Sequence, residues 1–370
     1  MKDKQQQRVQ EIEKSSCFGR HPVERVLPGG VSKMSTHDKL KVFLIFLSMV
    51  TFTVMVVMNG AAGSGAFKGI FQRTVGNISN KYNTDLTPAG WTFLIWNVIY
   101  LWQLAWLGYA LSGICRRNEL GWFYMKPDVL PTLFYLVWIL NNALNVGWLF
   151  LWDKEYLSPA LLVLTGLTGS NYVILFLACR GLHSHRTWLQ NHHRTDLWLL
   201  RILVQNGIAL YATWTTVATL LNFAVVLIYT VAVANQTSTT IVLSILLMLL
   251  VLWFYLENFL LDTYVHYILL IYPVVMIALS GSLDQHYNPS APSRNNIFAV
   301  VLMVVTSVMF LVRLGLVTCR HRYQPLPTNE SLFPGSVRIG KNLKDAENDL
   351  RKRSCRSQEM ELEHTDVKSF

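Results

Sequence analysis

The sequence predicts an all-α, polytopic integral membrane protein with about eight transmembrane helices. Hydrophobic residues make up 52% of the 370 residues and charged residues only 15%, whereas soluble domains carry about 25% charge. The mean hydropathy is +0.32, and the apolar residues form repeated runs that are long enough to cross a bilayer. These observations exclude a single soluble core.

Eight apolar runs define the predicted spans. The first run follows a polar tail without a cleavage site near Met1, so we interpret it as a signal-anchor. The fifth run exceeds the ~20 residues that cross a bilayer, and no charged or turn-rich break divides it. We therefore predict one tilted helix that projects from the membrane. In chain order the predicted spans are 42–58, 89–112, 131–151, 158–177, 197–234, 239–256, 263–281 and 297–317.

The distribution of basic residues predicts the orientation of the chain. Lys and Arg are concentrated in the two tails and in loops 113–130 and 179–196, which places these segments and both termini in the cytosol. Loop 60–87 also carries basic residues and fits least well. The sequons at Asn77 and Asn235 fall on the outer side and are predicted N-glycosylation sites. A glycoprotein indicates the plasma membrane or an endomembrane in preference to the mitochondrial outer membrane.

The net charge of +10 does not indicate nucleic-acid binding. The basic residues lie in the tails and beside the spans, and no zinc-finger spacing or aromatic-basic repeat accompanies them. We predict that residues 1–41 form a polar cytosolic tail. Residues 319–370 are charged and poor in apolar side chains, which predicts a disordered, basic cytosolic tail.

Few ionisable residues are expected within the membrane. Arg201 and Arg313 lie near predicted cytosolic ends, where their heads can reach water, and Glu257 and Asp262 bracket a short loop. His266 is then the one titratable ionic side chain expected inside a span. A lone His in a span more often bonds a neighbouring helix than acts as a base. We therefore predict no catalytic residues and no enzymatic activity.

A histidine cluster in loop 179–196 raises the question of a metal site. His183, His185, His192 and His193 are widely spaced in a polar loop, without cysteine partners at ligand intervals. A solvated loop explains them better, so neither a metal site nor a cofactor is predicted.

The fifth span carries a polar stripe on one helical face, defined by steps of three and four residues. Hydroxyls, an indole N–H and an amide are costly in hydrocarbon unless they are paired. Two interpretations stay open, namely helix–helix packing and one side of a ligand site. The stripe consists of Tyr211, Trp214, Thr215, Ala218, Thr219 and Asn222.

Two other spans carry aromatic and amide groups at depth. Trp96 and Tyr100 lie in the second span, and Asn145 and Trp148 in the third. Together with the stripe they could form a flat, mostly apolar pocket with a few polar groups, which is the usual composition of a small-molecule site.

These three stretches resemble the TspO/MBR family, the tryptophan-rich sensory and translocator proteins. The family pattern Tyr-x-x-Trp-x-x-x-Ala-Thr-x-Leu-Asn-aromatic occurs in span five, and shorter family patterns occur in spans two and three. The matching residues are Pro88, Trp91, Trp96 and Tyr100, then Asn145 and Trp148, then Tyr211, Trp214, Ala218, Thr219, Leu221, Asn222 and Phe223.

The resemblance implies a five-helix transmembrane module over residues 42–234, followed by three additional helices over 235–318. It further implies binding or transport of a hydrophobic planar ligand, such as a tetrapyrrole or a sterol-like molecule. No basic residue follows Asn222, so the cholesterol-associated pattern of some members is missing. The ligand-binding residues implied are Trp96, Tyr100, Asn145, Trp148, Trp214, Ala218 and Asn222.

Two alternatives from other classes stay open. A membrane scaffold or receptor-like protein would signal through its tails without transporting a small molecule. An intramembrane enzyme or a proton-coupled transporter would depend on His266. The expected partners are the lipid bilayer and a hydrophobic small molecule, with no nucleic acid, and a homodimer is left open.

Overall fold

The computed structural model describes residues 37–65 and 69–323 and confirms the predicted all-α membrane class. Most of the two predicted tails lies outside these residues. Within the described residues, seven helices are long and apolar enough to cross a membrane. They are Lys39–Ser64, Gly90–Cys115, Thr132–Asp153, Leu157–His192, Arg194–Tyr229, Asn235–Leu260 and Arg294–Arg322.

Helix α1, Lys39–Ser64, has defined caps at both ends. The Asp38 carboxylate accepts a hydrogen bond from the backbone N–H of Lys41, which satisfies one of the free donors of the first turn. The helix ends at Gly65, whose φ of 68° is left-handed and therefore suits glycine. A short helix, α2, follows at Val75–Lys81, inside the predicted loop.

The second and third spans are joined by a small hairpin. A 3₁₀ turn at Gly90–Leu94 leads directly into α3, Ile95–Cys115. Strands β1, Arg117–Asn118, and β2, Gly121–Trp122, pair antiparallel. Helix α4 then spans Thr132–Asp153.

The fourth span is longer than predicted, and the fifth is continuous as predicted. Helix α5 spans Leu157–His192. The fifth span begins as α6, Arg194–Leu199, passes through a π-helical segment at Leu200–Gln205 and continues as α7, Asn206–Tyr229. It ends before residue 234, the predicted limit.

The last third of the chain contains the remaining helices. Helix α8, Asn235–Tyr255, passes into a π-helical segment at Leu256–Leu260. After it come the one-turn helix α9, Asp262–Val265, and helix α10, Ile271–His286. The long helix α11, Arg294–Tyr323, closes the described chain.

The predicted seventh span, 263–281, is interrupted. Its place is taken by α9, a non-helical break and α10, which has 16 residues. At 1.5 Å per residue α10 is ~24 Å long, shorter than the ~30 Å hydrocarbon core. A total of eight spans therefore stays a prediction.

The helices pack around α4, α5 and α7. Helix α4 contacts α1 and α5, and α5 contacts α7; helices α8 and α10 also pack on α7, and α11 packs on α8 and α10. The large side chains in this core include Trp106, Trp138, Tyr135, Phe134 and Tyr211.

The two ends of the bundle differ in charge. One end contains Lys41, Arg116, Arg186, Arg201 and Arg320, and we call it the basic end. It is held together by ion pairs such as Arg116 with Asp196 and by ring contacts. The opposite end contains carboxylates whose partners come from the loops, such as Asp153, which accepts a hydrogen bond from the Gln72 backbone N–H at 2.8 Å.

Candidate ligand site

Four aromatic rings from α3 and α7 meet in the bundle and form what we call the aromatic cluster. Trp96 stacks on Tyr100 with ring centroids 5.5 Å apart. The same indole contacts Tyr211 edge-on at 6.2 Å and Trp214 edge-on at 6.1 Å. Three of the seven predicted ligand-binding residues, Trp96, Tyr100 and Trp214, are therefore brought together.

Asn145 lies beside the cluster but is occupied by the protein itself. Its Nδ2 donates to the Tyr211 hydroxyl at 3.1 Å, and its Oδ1 accepts from the Asn59 Nδ2 at 2.7 Å. The side chain is buried. Asn145 therefore joins α1, α4 and α7, and its role in the structure is to hold the helices behind the rings.

Trp148 lies away from the aromatic cluster. It is stacked on Trp152 at 5.6 Å, in small apolar clusters near the opposite end that also contain Phe71 and Leu149. Its indole nitrogen is buried without a hydrogen-bond partner among the described residues.

The residues of the α7 polar stripe differ in their partners. The Thr215 hydroxyl accepts from the Asn171 Nδ2 at 3.2 Å, and Thr219 bonds Thr168 at 2.9 Å. Both partners lie on α5, so Thr215 and Thr219 serve helix–helix packing, one of the two interpretations of the stripe.

Two other residues of the stripe, Trp214 and Asn222, keep unpaired polar atoms. Trp214 is only 3% exposed, and its Nε1 has no partner among the described residues. Two turns on, the Asn222 Nδ2 donates to the Ala218 carbonyl at 3.3 Å while its Oδ1 is buried without a partner. Buried polar groups are normally satisfied, so these two residues offer one donor and one acceptor to a ligand or a water molecule.

Two small cavities in the described part of the chain lie elsewhere. One, of about 30 Å³, is lined by Tyr109, Gly113 and Tyr135 among others. The second, of about 20 Å³, is at the basic end beside Arg201 and His266. The rings of the aromatic cluster fill their own space, so a ligand there would have to displace side chains.

The sequence interpretation missed a buried charge network at the basic end. Arg313 and Glu257 are both fully buried, with the Arg313 Nε 3.7 Å from a Glu257 carboxylate oxygen. The Arg313 Nη1 donates to the Asn258 Oδ1 at 2.9 Å and to the Asp262 Oδ1 at 3.1 Å. The Glu257 carboxylate also accepts a hydrogen bond from the Tyr272 hydroxyl.

Arg313 also satisfies backbone carbonyls where the helices are interrupted. Its Nη2 donates to the carbonyls of Val265 and His266 at 3.2 and 3.1 Å, and its Nη1 to the Glu257 carbonyl at 3.3 Å. Carbonyls at a helix end lack intrahelical partners, and within a membrane they need partners from the protein. One guanidinium therefore supports the break between α8 and α10.

Three expectations about ionisable residues are wrong. Arg313 does not extend to water, because five donor–acceptor contacts hold it inside the bundle. Arg201 is only 7% exposed, with its guanidinium over the rings of Trp198 and Tyr267. His266 is not the one ionisable side chain inside the bundle, because Arg201, Glu257 and Arg313 are buried as well. Opposite charges at similar depth on spans six and eight were the signal that could have revealed the pair.

The histidines of the predicted loop are dispersed. His183 packs on Tyr264 with ring centroids 4.2 Å apart, His192 stacks on Trp188, and the His193 Nδ1 lies 3.5 Å from an Asp196 carboxylate oxygen. Within the described residues, no group of three or more His, Cys, Asp or Glu is placed to hold a metal ion.

The fold and the aromatic site together define a multi-pass helical membrane protein of the tryptophan-rich kind. The family model described as TSPO-like protein matches residues 45–314. The chain therefore belongs to the TSPO-like protein family, and the predicted resemblance is confirmed. The match extends into α11. No curated protein and no solved structure matches the chain.

Proposed function

We propose that this TSPO-like membrane protein binds a hydrophobic, planar small molecule at the aromatic cluster. The observation that carries the proposal is the combination of stacked, half-buried rings with buried, unpaired polar atoms on the adjacent face of α7. Such a site supplies stacking area and a few orienting polar groups. A tetrapyrrole or a sterol-like molecule has the matching chemistry.

The ligand reaches the cluster from the lipid side. Trp96 and Tyr100 are half-buried, and their neighbours on α3, Val98 and Leu101, are 48% and 68% exposed on the apolar surface. A rotation of the Trp96 ring would separate it from Trp214 and expose the Trp214 Nε1. Edge-on ring pairs contribute about 0.5–1.5 kcal/mol, so a ligand that stacks on both rings can compensate for the contact that is lost.

The polar groups of the ligand lie along the stripe. The Trp214 Nε1 can donate and the Asn222 Oδ1 can accept, and their Cα atoms are ~12 Å apart along α7. A ligand with an acceptor and a donor at a similar separation therefore fits best. Asn145 holds Tyr211 in place behind the rings. Trp148 lies too far along the bundle to share this contact, and its substitution should matter less.

A fluorescence titration of the purified protein with a porphyrin and with a sterol tests the proposal. Trp214→Leu removes the ring and the donor and should weaken binding about tenfold, equivalent to about 1.4 kcal/mol. Trp188→Leu is the matched control, because Trp188 stacks on His192 at the basic end. Its affinity should equal that of the wild type.

The competing function makes the opposite prediction. If neither ligand binds, or if Trp214→Leu and Trp188→Leu have equal affinities, the aromatic cluster is not the site. A cellular activity that is lost on deletion of residues 324–370 and kept in Trp214→Leu would favour a scaffold that signals through its tails.

A further inference from the structure

The basic end contains a cavity that the proposed function does not use. It lies between the end of α5, the π-helical segment of α6–α7 and the break after α9. Arg186, Arg201 and His266 contribute to its lining, with His183, Thr263 and Tyr264 toward its exposed rim. The π-helical segment Leu200–Gln205 contributes Arg201 and Gln205 to the lining, and such segments are frequent at functional sites.

Arg201 brings a buried positive charge to the cavity. It is 7% exposed, and its guanidinium carbon lies 4.1 Å from the ring centroid of Tyr267 and 4.9 Å from that of Trp198. In the part of the chain that the structure describes, Arg201 forms no ion pair with a carboxylate. The rings stabilise the cation but leave its in-plane N–H donors for another acceptor.

His266 brings an unpaired ring nitrogen to the same cavity. The residue is 6% exposed, and its Nδ1 lies 3.0 Å from a carboxylate oxygen of Asp262. Asp262 pairs with Arg313 and Arg320, and an ionised carboxylate can only accept a hydrogen bond. The His266 Nδ1 therefore carries the proton. The Nε2 is buried without a partner among the described residues, and in the neutral ring it is an acceptor.

The combination of donors and one acceptor selects a ligand chemistry. A carboxylate ion could accept from the arginines but has no proton to donate to the His266 Nε2. A phosphate monoester near or below its second pKa of about 6 has charged oxygens for Arg186 and Arg201 and one P–OH for His266. Guanidinium groups bind phosphate oxygens through paired, charge-assisted hydrogen bonds.

We propose that this cavity binds the terminal phosphate of a phosphomonoester, with Arg201 and Arg186 as the cationic contacts and His266 as the acceptor. The cavity measures about 20 Å³, room for one or two waters, so one or two oxygens of the phosphate enter it in place of water. The rest of the ligand extends over the rim, either into water or, for a lipid headgroup, along the bundle. The site is separate from the aromatic cluster.

The test uses the full-length protein in phosphatidylcholine nanodiscs. In the first arm, inorganic phosphate is titrated by calorimetry. In the second arm, thermal unfolding is compared in nanodiscs that contain phosphatidic acid, a phosphomonoester lipid, or phosphatidylglycerol, an anionic phosphodiester lipid. Phosphate binding in the first arm indicates a soluble ligand, and stabilisation by phosphatidic acid alone indicates a lipid.

Matched arginine variants on one helix separate a specific site from surface charge. Arg186→Gln should weaken phosphate binding about tenfold, the loss expected when one charge-assisted hydrogen bond is removed. If the ligand is a lipid, the same variant should reduce the stabilisation by phosphatidic acid correspondingly. Arg180→Gln removes an exposed arginine of α5 outside the cavity and should leave binding unchanged. His266→Gln should reduce affinity in the same arm, with helix content checked by circular dichroism.

Three outcomes overturn the proposal. The first is an absence of both phosphate binding and a phosphatidic acid effect in the folded wild type. The second is an equal loss in Arg186→Gln and Arg180→Gln, and the third is equal stabilisation by the two anionic lipids. None of these outcomes affects the aromatic cluster, because hydrophobic ligand binding is measured separately.

Discussion

At the residue scale, neighbouring side chains of the α7 stripe have different roles. Thr215 and Thr219 bond residues of α5, while Trp214 and Asn222 keep an unpaired donor and acceptor. Successive helical residues are rotated by about 100°, so Trp214 and Thr215 face different neighbours. The two interpretations of the stripe therefore apply to different residues of one helix.

The two predicted glycosylation sites also differ at this scale. Asn77 is exposed on the short helix α2. Asn235 is half-buried at the first turn of α8, where its Nδ2 donates to the Asp85 carboxylate at 2.8 Å and its Oδ1 accepts from the Asp85 N–H. A glycan on that nitrogen would crowd the Asp85 contact, so we expect Asn77 to be modified and Asn235 to stay bare.

Glycosidase treatment of the protein from mammalian cells checks this expectation. The mobility shift should disappear in Asn77→Gln and persist in Asn235→Gln. A shift that depends on Asn235 instead would show that the contact with Asp85 opens before modification. A wild type without any glycan would contradict the predicted outer position of loop 60–87.

Residue spacing predicted part of the aromatic cluster and missed the rest. Trp96 and Tyr100 are one turn apart, so their stacking follows from helix geometry. The position of Trp148 depends on Trp152 and on the loop that carries Phe71. Helical periodicity carries no information about such partners, and grouping Trp148 with Trp96 relied on their depth in the predicted spans and on the family resemblance.

At the element scale, the hydropathy pattern predicted where the helices lie but not where they break. The run 263–281 is apolar enough for one span, yet α9 and α10 are separated by a non-helical segment. Breaking a helix leaves carbonyls without intrahelical donors, and here Arg313 of α11 donates hydrogen bonds to them. The stabilising group is far away in sequence, so a local window could not find it.

Helix α10 is joined to the start of α3 by a close backbone approach. The Ala89 N–H donates to the Gly281 carbonyl at 2.9 Å, and a Cβ at Gly281 would collide with the Thr92 side chain. Gly281→Ala should therefore destabilise the protein by about 1–3 kcal/mol, the usual cost of overpacking. Thermal unfolding in detergent measures the change.

Gly108→Ala is the matched control for this contact. Gly108 lies within α3, and a Cβ there meets nothing within 4 Å. Alanine is the better helix former, so this variant should be neutral or slightly stabilised. Equal melting temperatures for Gly281→Ala and the wild type would show that α10 does not pack as closely as described.

At the scale of the whole molecule, the last helices are part of the same bundle as the first ones. Helices α8 and α10 pack on α7, and the 3₁₀ turn before α3 contacts α10. The family match over residues 45–314 likewise includes them. The division into a five-helix module and three additional helices stays a prediction, based on the three matching motifs, which all precede residue 234.

The Arg313 network connects α11 to this bundle, and its loss should affect the entire fold. Arg313→Leu removes the cation from a buried pair with Glu257 and the Arg313 donors from the carbonyls of Glu257, Val265 and His266, of which Val265 still accepts from the Ile268 N–H. Removing one partner of a buried pair costs about 3–5 kcal/mol. Glu257→Gln should cost less, because an amide oxygen can still accept from the Tyr272 hydroxyl.

Arg320→Gln is the control, because Arg320 is more exposed and also pairs with Asp262, at 2.8 Å. Surface pairs contribute about 0–1 kcal/mol, so its unfolding temperature should stay near that of the wild type. The expected order of stability is wild type and Arg320→Gln, then Glu257→Gln, then Arg313→Leu. If Arg313→Leu unfolded at the same temperature as Arg320→Gln, the carbonyls at the break would have another donor. Helix α11 would then not stabilise the interrupted span.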